Sequence, residues 1–308
     1  MTEKQPSFGE YFLHESEDGH KEICPKPNQA DLQQYYHDKY FQLGLGSYEV
    51  AYSQEELDYF ENRLHRFYSL VRNHLPRNIR PRLLDIGAGE GFTSAYFSRK
   101  GFQVSSLDYS SAGVKKQNPE ILPNHEVGDI FELLQQKTAA GSRFNLLILQ
   151  NVLEHVINPC DLCGLMRSLL EESGVALITV PNDFSLTQLT ALAQKRISSQ
   201  FWVCPPDHLN YFNTHSIRQF LDLQGWEVVD MISDFPVDWF LFHDGSNYIT
   251  DKTQGKKAHS ARISIENMLH TAPLDRVLEF YRASATLGVG RDITVVAKVK
   301  QSENLFID

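Results

Sequence analysis

Three glycines alternate directly after an apolar run, at positions 87, 89 and 91. The run reads Leu-Leu-Asp-Ile before the first of them, which is typical of a strand that ends in a turn. Glycine has no Cβ, so the backbone can turn sharply here and approach a ligand closely. A dinucleotide-binding GxGxxG pattern would need a further glycine where Phe92 stands. The spacing therefore predicts a ligand-binding turn of a different type, GxGxG.

An acidic residue, Asp108, ends the next apolar run, about 20 residues beyond the first glycine. At the tip of a strand that neighbours the glycine turn, a carboxylate can accept hydrogen bonds from the hydroxyls of a ribose. The sequence therefore predicts that the ligand carries a ribose.

Two histidines are the candidates for acid–base chemistry. His155 follows a third apolar run in Asn-Val-Leu-Glu-His-Val, and His208 lies in Pro-Pro-Asp-His-Leu-Asn-Tyr-Phe, residues 205–212. Histidine titrates near neutral pH, which suits a general base that takes the proton of a hydroxyl group. The alternative is structural, because His155 with Glu154 could hold a turn, and His208 could orient its loop.

The elements that must position these residues alternate between strands and helices from Pro81 to about residue 185. That alternation is typical of right-handed βαβ units in a parallel sheet, so we predict a doubly wound α/β domain. Ligands of such sheets bind at the carboxyl ends of the strands, where the glycine turn, Asp108 and the histidine segments fall.

The segment before this domain is predicted to be a polar, irregular leader to about residue 28, followed by two helices. The first helix, Asp31 to Gln42, carries Tyr36 and Tyr40. The second begins at Ser53 with the capping box Ser-Gln-Glu-Glu. Its predicted buried stripe is Leu57, Phe60, Leu64, Phe67 and Val71.

Four motifs in order resemble those of the class I S-adenosylmethionine-dependent methyltransferases. They are residues 83–91 with the glycine turn, Gly128-Asp129-Ile130, residues 146–156 and residues 174–182. Four ordered motifs over about 100 residues are far more specific than the glycine turn alone. The resemblance implies a Rossmann-like sheet of seven strands, with the sixth near residues 226–229 and the seventh at residues 293–299.

The resemblance also implies S-adenosylmethionine as the cofactor and S-adenosylhomocysteine as its product. Asp85 would organise the methionine amino group, Asp108 the ribose hydroxyls and Asp129 the adenine amino group. The backbone of Gln150 and Asn151 would hold the methionine portion, and tyrosines of the first helix would close over it. The complete set of implied cofactor-binding residues is Tyr36, Tyr40, Asp85, Gly87, Gly89, Gly91, Asp108, Asp129, Ile130, Gln150 and Asn151.

About 60 residues separate the last two implied strands, where a minimal fold has a short hairpin. They include the apolar run 235–242 and two predicted helices at 257–270 and 273–284. A long excursion is usually functional, so we expect an acceptor lid or the interface of a homodimer. An additional helical layer of the core fits the composition equally well. The predicted units are an N-terminal flap with helices (1–78), the cofactor-binding core (79–231 with 291–300) and this helical insertion (232–290).

The acceptor is expected to be a small polar molecule, because the chain looks most like bacterial small-molecule methyltransferases, including those of surface-polysaccharide pathways. A nucleotide sugar or glycan precursor is the leading expectation, with Arg262, Arg282 and Arg291 as candidate phosphate contacts. The alternatives are a quinone or other natural-product hydroxyl, and a cofactor-binding partner subunit without catalysis.

Composition narrows the remaining classes. The 308 residues carry a formal net charge of −10, which argues against a broad nucleic-acid footprint. The sequence has no run of 18 apolar residues and no apolar signal segment at its start, so no membrane span and a cytoplasmic location are expected. Cys160 and Cys163 have half the spacing of a zinc site, and Asp183 alone does not make a carboxylate cluster, so no metal is predicted.

Overall fold

The computed structural model describes residues 11–32, 35 and 51–301, and their strands form two sheets. In chain order the strands are β1 (Phe12–Glu15), β2 (Lys21–Cys24), β3 (Arg82–Ile86), β4 (Gln103–Asp108), β5 (His125–Val127), β6 (Phe144–Gln150), β7 (Leu170–Pro181), β8 (Asn210–Tyr211), β9 (Trp226–Ser233) and β10 (Asp292–Val299). The α-helices are α1 (Gln54–Arg72), α2 (Phe92–Arg99), α3 (Ala112–Gln117), α4 (Ile130–Ala139), α5 (Pro159–Leu169), α6 (Leu186–Ala193), α7 (Ser216–Leu223), α8 (Gly255–Leu269) and α9 (Leu274–Leu287). Short 3₁₀ helices lie at Pro119–Asn124, Val237–Phe242 and Lys252–Gln254.

The larger sheet has seven strands in the order β5-β4-β3-β6-β7-β10-β9. The five strands from β5 to β7 run parallel, and β10 lies antiparallel between β7 and β9. This arrangement confirms the predicted doubly wound α/β sheet of seven strands. The carboxyl ends of β3, β4 and β6 therefore meet at one edge of the sheet, together with the residues that follow them.

The core explains why the central strands read as continuous apolar runs. Every residue of β6 except Gln150 is buried, as expected for a parallel strand that helices cover on both faces. Leu147 and Leu149 pack with α4, α5 and α7 on one face, and Leu146 and Ile148 pack with α1, α2 and α9 on the other. The sheet therefore forms a rigid platform for the turns at its edge.

The insertion contributes to this core. Its two predicted helices appear as α8 and α9, and Val277, Leu278 and Tyr281 of α9 are buried in the same cluster as Leu146. In the apolar run 235–242, Leu241 is buried and Trp239 is half exposed. The position of α9 therefore fits an additional helical layer of the core, one of the three alternatives for the insertion.

The expectation of an irregular segment to about residue 28 was wrong for residues 11–28, because β1 and β2 form a hairpin that pairs with β8 in a second sheet. Whether this segment acts as a flap stays a prediction. The backbone N–H of Ile23 donates to the carbonyl of Leu209 at 3.0 Å. Gly19, with a φ of +80°, permits the turn before β2. The predicted helix that carries Tyr36 and Tyr40 falls mostly outside the described residues, and so do both tyrosines.

Among the described helices, none has the length and apolar character that crossing a membrane would require.

Candidate active site

The glycine turn leaves open space above the end of β3. Gly87 and Gly91 have φ angles of +75° and +77°, and a Cβ on Gly87 would lie 2.4 Å from a methyl carbon of Val152. At Gly89, with a φ of +56°, an added Cβ would have no heavy atom of the described chain within 4 Å, apart from those of its chain neighbours. Gly87 is therefore required for packing, whereas Gly89 faces a space that a ligand can enter.

Asp108 ties the end of β4 to this turn. Its Oδ2 accepts a hydrogen bond from the backbone N–H of Gly89 at 2.9 Å, and its Oδ1 accepts one from Ser110 at 3.1 Å. Burial raises the pKa of its carboxyl group, while these backbone bonds oppose the shift. A carboxylate has about four acceptor positions, so these backbone bonds do not use all of them.

Asp129 has a structural role in addition to its predicted one. Its Oδ1 caps α4 by accepting hydrogen bonds from the backbone N–H groups of Phe131 and Glu132, at 2.9 and 3.1 Å. Its Oδ2 accepts the hydroxyl of Tyr109 at 3.0 Å, and Ile130 is buried beside it. Tyr109 was not predicted from the sequence, although an aromatic residue directly after Asp108 was the available signal.

Asp85 lies below the turn and is 1% exposed. It accepts a hydrogen bond from the hydroxyl of Ser94 in α2 at 2.7 Å. Burial raises the pKa of Asp85 to about 6, and the bond from Ser94 opposes the shift. Its contact with the methionine amino group remains a prediction.

At the end of β6, the binding of the methionine portion by the backbone of Gln150 and Asn151 remains a prediction. Asn151 adopts a left-handed conformation with a φ of 52°, and its N–H donates to the carbonyl of Thr179 at 2.9 Å. The Gln150 side chain donates to the hydroxyl of Thr93 at 2.7 Å. Arg63 of α1 approaches Gln150 Oε1 at 3.5 Å and brings a cation to this end of the sheet, a contact that was not predicted from the sequence.

The two predicted histidines lie together. Their ring centroids are 4.9 Å apart, with an interplanar angle of 76°. His155 Nε2 lies 3.7 Å from Glu154 Oε1, and His208 Nδ1 lies 4.0 Å from Asp183 Oδ2. The structure therefore joins residues from the turn after β6 with a residue from the loop before β8.

We call Glu154, His155 and His208 the histidine cluster, and the carboxyl group of Asp183 lies beside it. Burial raises the pKa of Glu154 well above its usual range, and the negative charge of Asp183 raises it further. Burial also raises the pKa of Asp183 to about 6. The guanidinium of Arg291, whose Nη1 lies 3.1 Å from Asp183 Oδ1, opposes this shift. One ligand atom each from Glu154, His155 and His208 lies within 4.8 Å of the others, so these residues could hold a metal ion.

Hydrogen bonds from backbone groups and from one side-chain amide hold the loop that carries His208. The carbonyl of Glu154 accepts the N–H groups of Leu209 and Asn210, at 2.8 and 3.1 Å. The buried side chain of Asn210 donates to the carbonyls of Leu153 and Val156, at 3.2 and 2.7 Å. The loop is therefore fixed to the turn after β6 by both backbone and side-chain bonds.

The candidate phosphate contacts are engaged with protein groups. Arg282 forms a two-point ion pair with Asp230, and Arg262 lies 5.3 Å above the ring of Tyr59. Arg291 reaches the site, where it pairs with Asp183.

Neither cysteine of the CxxC pair lies in this cluster. Cys163 is buried in α5, and the thiol of Cys160 donates to Asp18 Oδ2 at 3.2 Å. Both are free thiols, as expected for residues of an ordinary helix. A separate cleft of about 510 Å³ lies between the first turns of α1 and α8. Its lining residues do not include the glycine turn, His155 or His208.

Known proteins share this sequence pattern and fold. Residues 58–231, more than half of the chain, match the family model described as a methyltransferase domain. The ubiquinone biosynthesis O-methyltransferase of Caulobacter sp. (strain K31) is 28% identical over 193 residues, which is 61% of this chain and 70% of the relative. The enzyme of that name from Caulobacter vibrioides is 29% identical over 144 residues, 45% of this chain and 53% of the relative. A SAM dependent methyltransferase from Archaeoglobus fulgidus shares the fold, with a TM-score of 0.50 and 16% identity over 86% of this chain and 99% of that chain.

Proposed function

The chain belongs to the class I S-adenosylmethionine-dependent methyltransferases, and on this basis we propose that it methylates a hydroxyl oxygen of a small phenolic or quinone-type acceptor. The observation that carries the proposal is the histidine cluster of Glu154, His155 and His208 beside the turn that begins at Gln150. It offers proton-accepting and oxygen-binding groups at the sheet edge where ligands of this fold bind.

The acceptor class is supported by two independent features. Both Caulobacter relatives are named as O-methyltransferases of ubiquinone biosynthesis. The arginines that a nucleotide sugar would need are paired with aspartates or stacked on an aromatic ring. The expectation of a nucleotide sugar therefore gains no support, and the quinone alternative becomes the proposed acceptor.

The residues present fit the cofactor. A side chain at position 89 would narrow the space above the turn. Beside this space, the carboxylate of Asp108 has hydrogen-bond acceptor positions left for a ligand. When bound, S-adenosylmethionine supplies an electrophilic methyl group. Gly87 and Gly91 hold the turn in its left-handed conformation. In the proposed site, Asp108 binds the ribose, Asp129 the adenine and Asp85 the amino group. The histidine cluster binds and orients the acceptor hydroxyl and favours the loss of its proton, while the sheet edge fixes both halves of the site.

The cofactor half is tested by calorimetry with S-adenosylhomocysteine. Replacing Asp108 by alanine should weaken binding about tenfold or more, because hydrogen bonds to a charged acceptor contribute about 1.5–3 kcal/mol each. Asp244→Ala is the matched control, since the Asp244 side chain is 96% exposed and far from the glycine turn in sequence. Unchanged affinity of the Asp108 variant would show that the ribose is held elsewhere.

The acceptor half is tested with labelled S-adenosylmethionine and two panels, polyphenols with and without a prenyl tail, and nucleotide sugars. Label in a phenolic product, with much lower turnover in His208→Ala, supports the proposal. Label confined to nucleotide sugars overturns the acceptor class. Intact S-adenosylhomocysteine binding without transfer to either panel contradicts the proposal and favours a non-catalytic partner subunit.

A further inference from the structure

Glu154 is a buried acid with an unusual side-chain environment. It is 1% exposed, and its Oε2 has no hydrogen-bond partner within the described ranges of the chain. Its backbone carbonyl already fixes the turn to Leu209 and Asn210, so the carboxylate is not needed to hold the loop. A buried polar atom without a partner is costly and points to a group that the protein alone does not supply.

The neighbours of this carboxylate are two imidazoles. Glu154 Oε1 lies 3.7 Å from His155 Nε2, and the three residues present ligand atoms within 4.8 Å of one another. Around a cation bound at about 2.1 Å, ligand atoms lie about 3 to 4 Å apart, so small side-chain rotations bring these three into range. The side chain of His208 is 15% exposed and that of His155 is 26% exposed, which leaves a path from solvent.

The surrounding charge favours a cation. Asp207 Oδ1 lies 3.8 Å from His155 Nδ1, and Asp183 Oδ2 lies 4.0 Å from His208 Nδ1. Together with Glu154 these are three carboxyl groups around the two imidazoles. Arg291 pairs with one of them, Asp183. The backbone carbonyl oxygen of Asp207 lies 2.5 Å from His155 Nδ1, a contact of the kind that orients histidine ligands in metal sites.

We propose that Glu154, His155 and His208 form a binding site for a divalent transition-metal ion of the zinc type. Two imidazoles and one carboxylate suit such ions, whereas magnesium and calcium prefer oxygen ligands alone. Three protein ligands leave coordination positions open, as in catalytic zinc sites.

The role of the ion rests on the proposed function. An acceptor hydroxyl that occupies an open position would lose its proton to solvent more readily. Its oxygen would then form the bond to the methyl carbon, as the carbon–sulfur bond breaks and leaves its electron pair on sulfur. In this arrangement both histidines act as ligands, and neither takes the proton itself.

The test is a Co²⁺ titration of the full chain after dialysis against a chelator. The wild type should bind one ion per chain and develop the visible absorption bands of a four- or five-coordinate Co²⁺ site, which Zn²⁺ should abolish. His155→Ala, His208→Ala and Glu154→Gln should each weaken binding about tenfold or more. His259→Ala is the control, because His259 lies on α8 beside Glu56 at 3.9 Å and should bind like the wild type.

Binding of S-adenosylhomocysteine and circular dichroism check that each variant is folded. If Glu154→Gln does not fold, the two histidine variants carry the test. A wild-type spectrum that stays that of hydrated Co²⁺, or ligand variants that bind like the wild type, would overturn the site. Phenolic methylation that persists in metal-free enzyme overturns the role of the ion and leaves the proposed function standing. A metal-loaded protein that binds S-adenosylhomocysteine but methylates no phenolic acceptor would contradict the proposed function. It would still support the metal site.

Discussion

At the scale of single residues, we expect Asp85 to make cofactor binding depend on pH. Its pKa is raised to about 6 because the carboxyl group is buried. A bound ammonium group favours the ionised carboxylate, so binding below this pH must first remove a proton. The affinity for S-adenosylhomocysteine should therefore increase as the pH rises from 5 to 7 and then level off.

Asp85→Asn is the variant that isolates this effect, since it keeps a hydrogen-bonding side chain of similar shape. We expect weaker binding at pH 7.5 and a flatter dependence between pH 5 and 7, measured by calorimetry. An unchanged pH dependence in Asp85→Asn would assign the proton to another group and remove Asp85 from the amino-group site.

The turn was predicted from one short segment, because the glycine spacing specifies its local backbone conformation. The structure joins this turn to Asp108, at the end of the next strand, through the Gly89 bond. Arg63 and the contact of His155 with His208 could not be predicted in this way. They bring together segments far apart in the chain, and neither periodicity nor spacing reports such a contact.

At the scale of elements, the two-residue strand β8 holds the loop of His208 in place. Asn210 is fully buried, and its Oδ1 accepts hydrogen bonds from Lys26 at 3.1 Å and from the ring of His20 at 3.3 Å. Its amide also bonds two carbonyls of the turn after β6. One side chain therefore connects the N-terminal hairpin, β8 and the turn that carries Glu154.

Asn210→Ala should lower the free energy of unfolding by about 2 kcal/mol or more, because it removes the hydrogen-bond donor of two buried carbonyl groups, those of Leu153 and Val156. It should also lower kcat for the acceptor, while the affinity for S-adenosylhomocysteine stays close to that of the wild type. Urea unfolding, turnover and calorimetry measure the three effects.

Asn213→Ala is the control for this experiment. Asn213 holds the turn before α7 by accepting the backbone N–H groups of His215 and Ser216, so its loss also destabilises the fold. These bonds stay within its own segment and do not reach the turn of Glu154, so turnover should survive. An equal loss of turnover in both variants would mean that general destabilisation explains the Asn210 effect.

The second sheet could not be predicted because its signals are weak. β1 and β2 are four residues each and are partly exposed, so they lack a clear apolar alternation. β8 has two residues, and it pairs with a strand almost 190 positions earlier in the chain. Long strands with buried faces, such as β6, were predicted because burial on both faces leaves a continuous apolar run.

At the scale of the whole molecule, the insertion could not be classified from its composition. A lid, an interface and a core layer all require amphipathic helices, and α9 has an ordinary buried stripe. The distinguishing feature is tertiary: Arg66 of α1, Glu266 of α8 and Tyr281 of α9 meet in one buried group. Two of the three come from the insertion, so this group couples it to the N-terminal helix.

This coupling leads to a prediction about cooperativity. Arg66 Nη2 lies 2.9 Å from Glu266 Oε2, the Tyr281 hydroxyl donates to the same oxygen at 3.0 Å, and the Arg66 guanidinium lies 4.4 Å from the Tyr281 ring centroid. Arg66→Met leaves a buried carboxylate without its cation and should cost about 3–5 kcal/mol of unfolding free energy. Arg66→Met combined with Glu266→Met should cost less than Arg66→Met alone, because apolar side chains of similar volume can replace a buried ion pair.

Denaturant unfolding of the four proteins in this cycle measures the coupling directly. If the insertion is part of the core, circular dichroism and tryptophan fluorescence, to which Trp239 of the insertion contributes, should report one shared transition in the wild type. Additive losses in the double variant would mean that the pair does not couple α1 to α8. A separate fluorescence transition at lower denaturant, absent from a Trp239→Phe variant, would mean that the insertion unfolds independently, as a lid would.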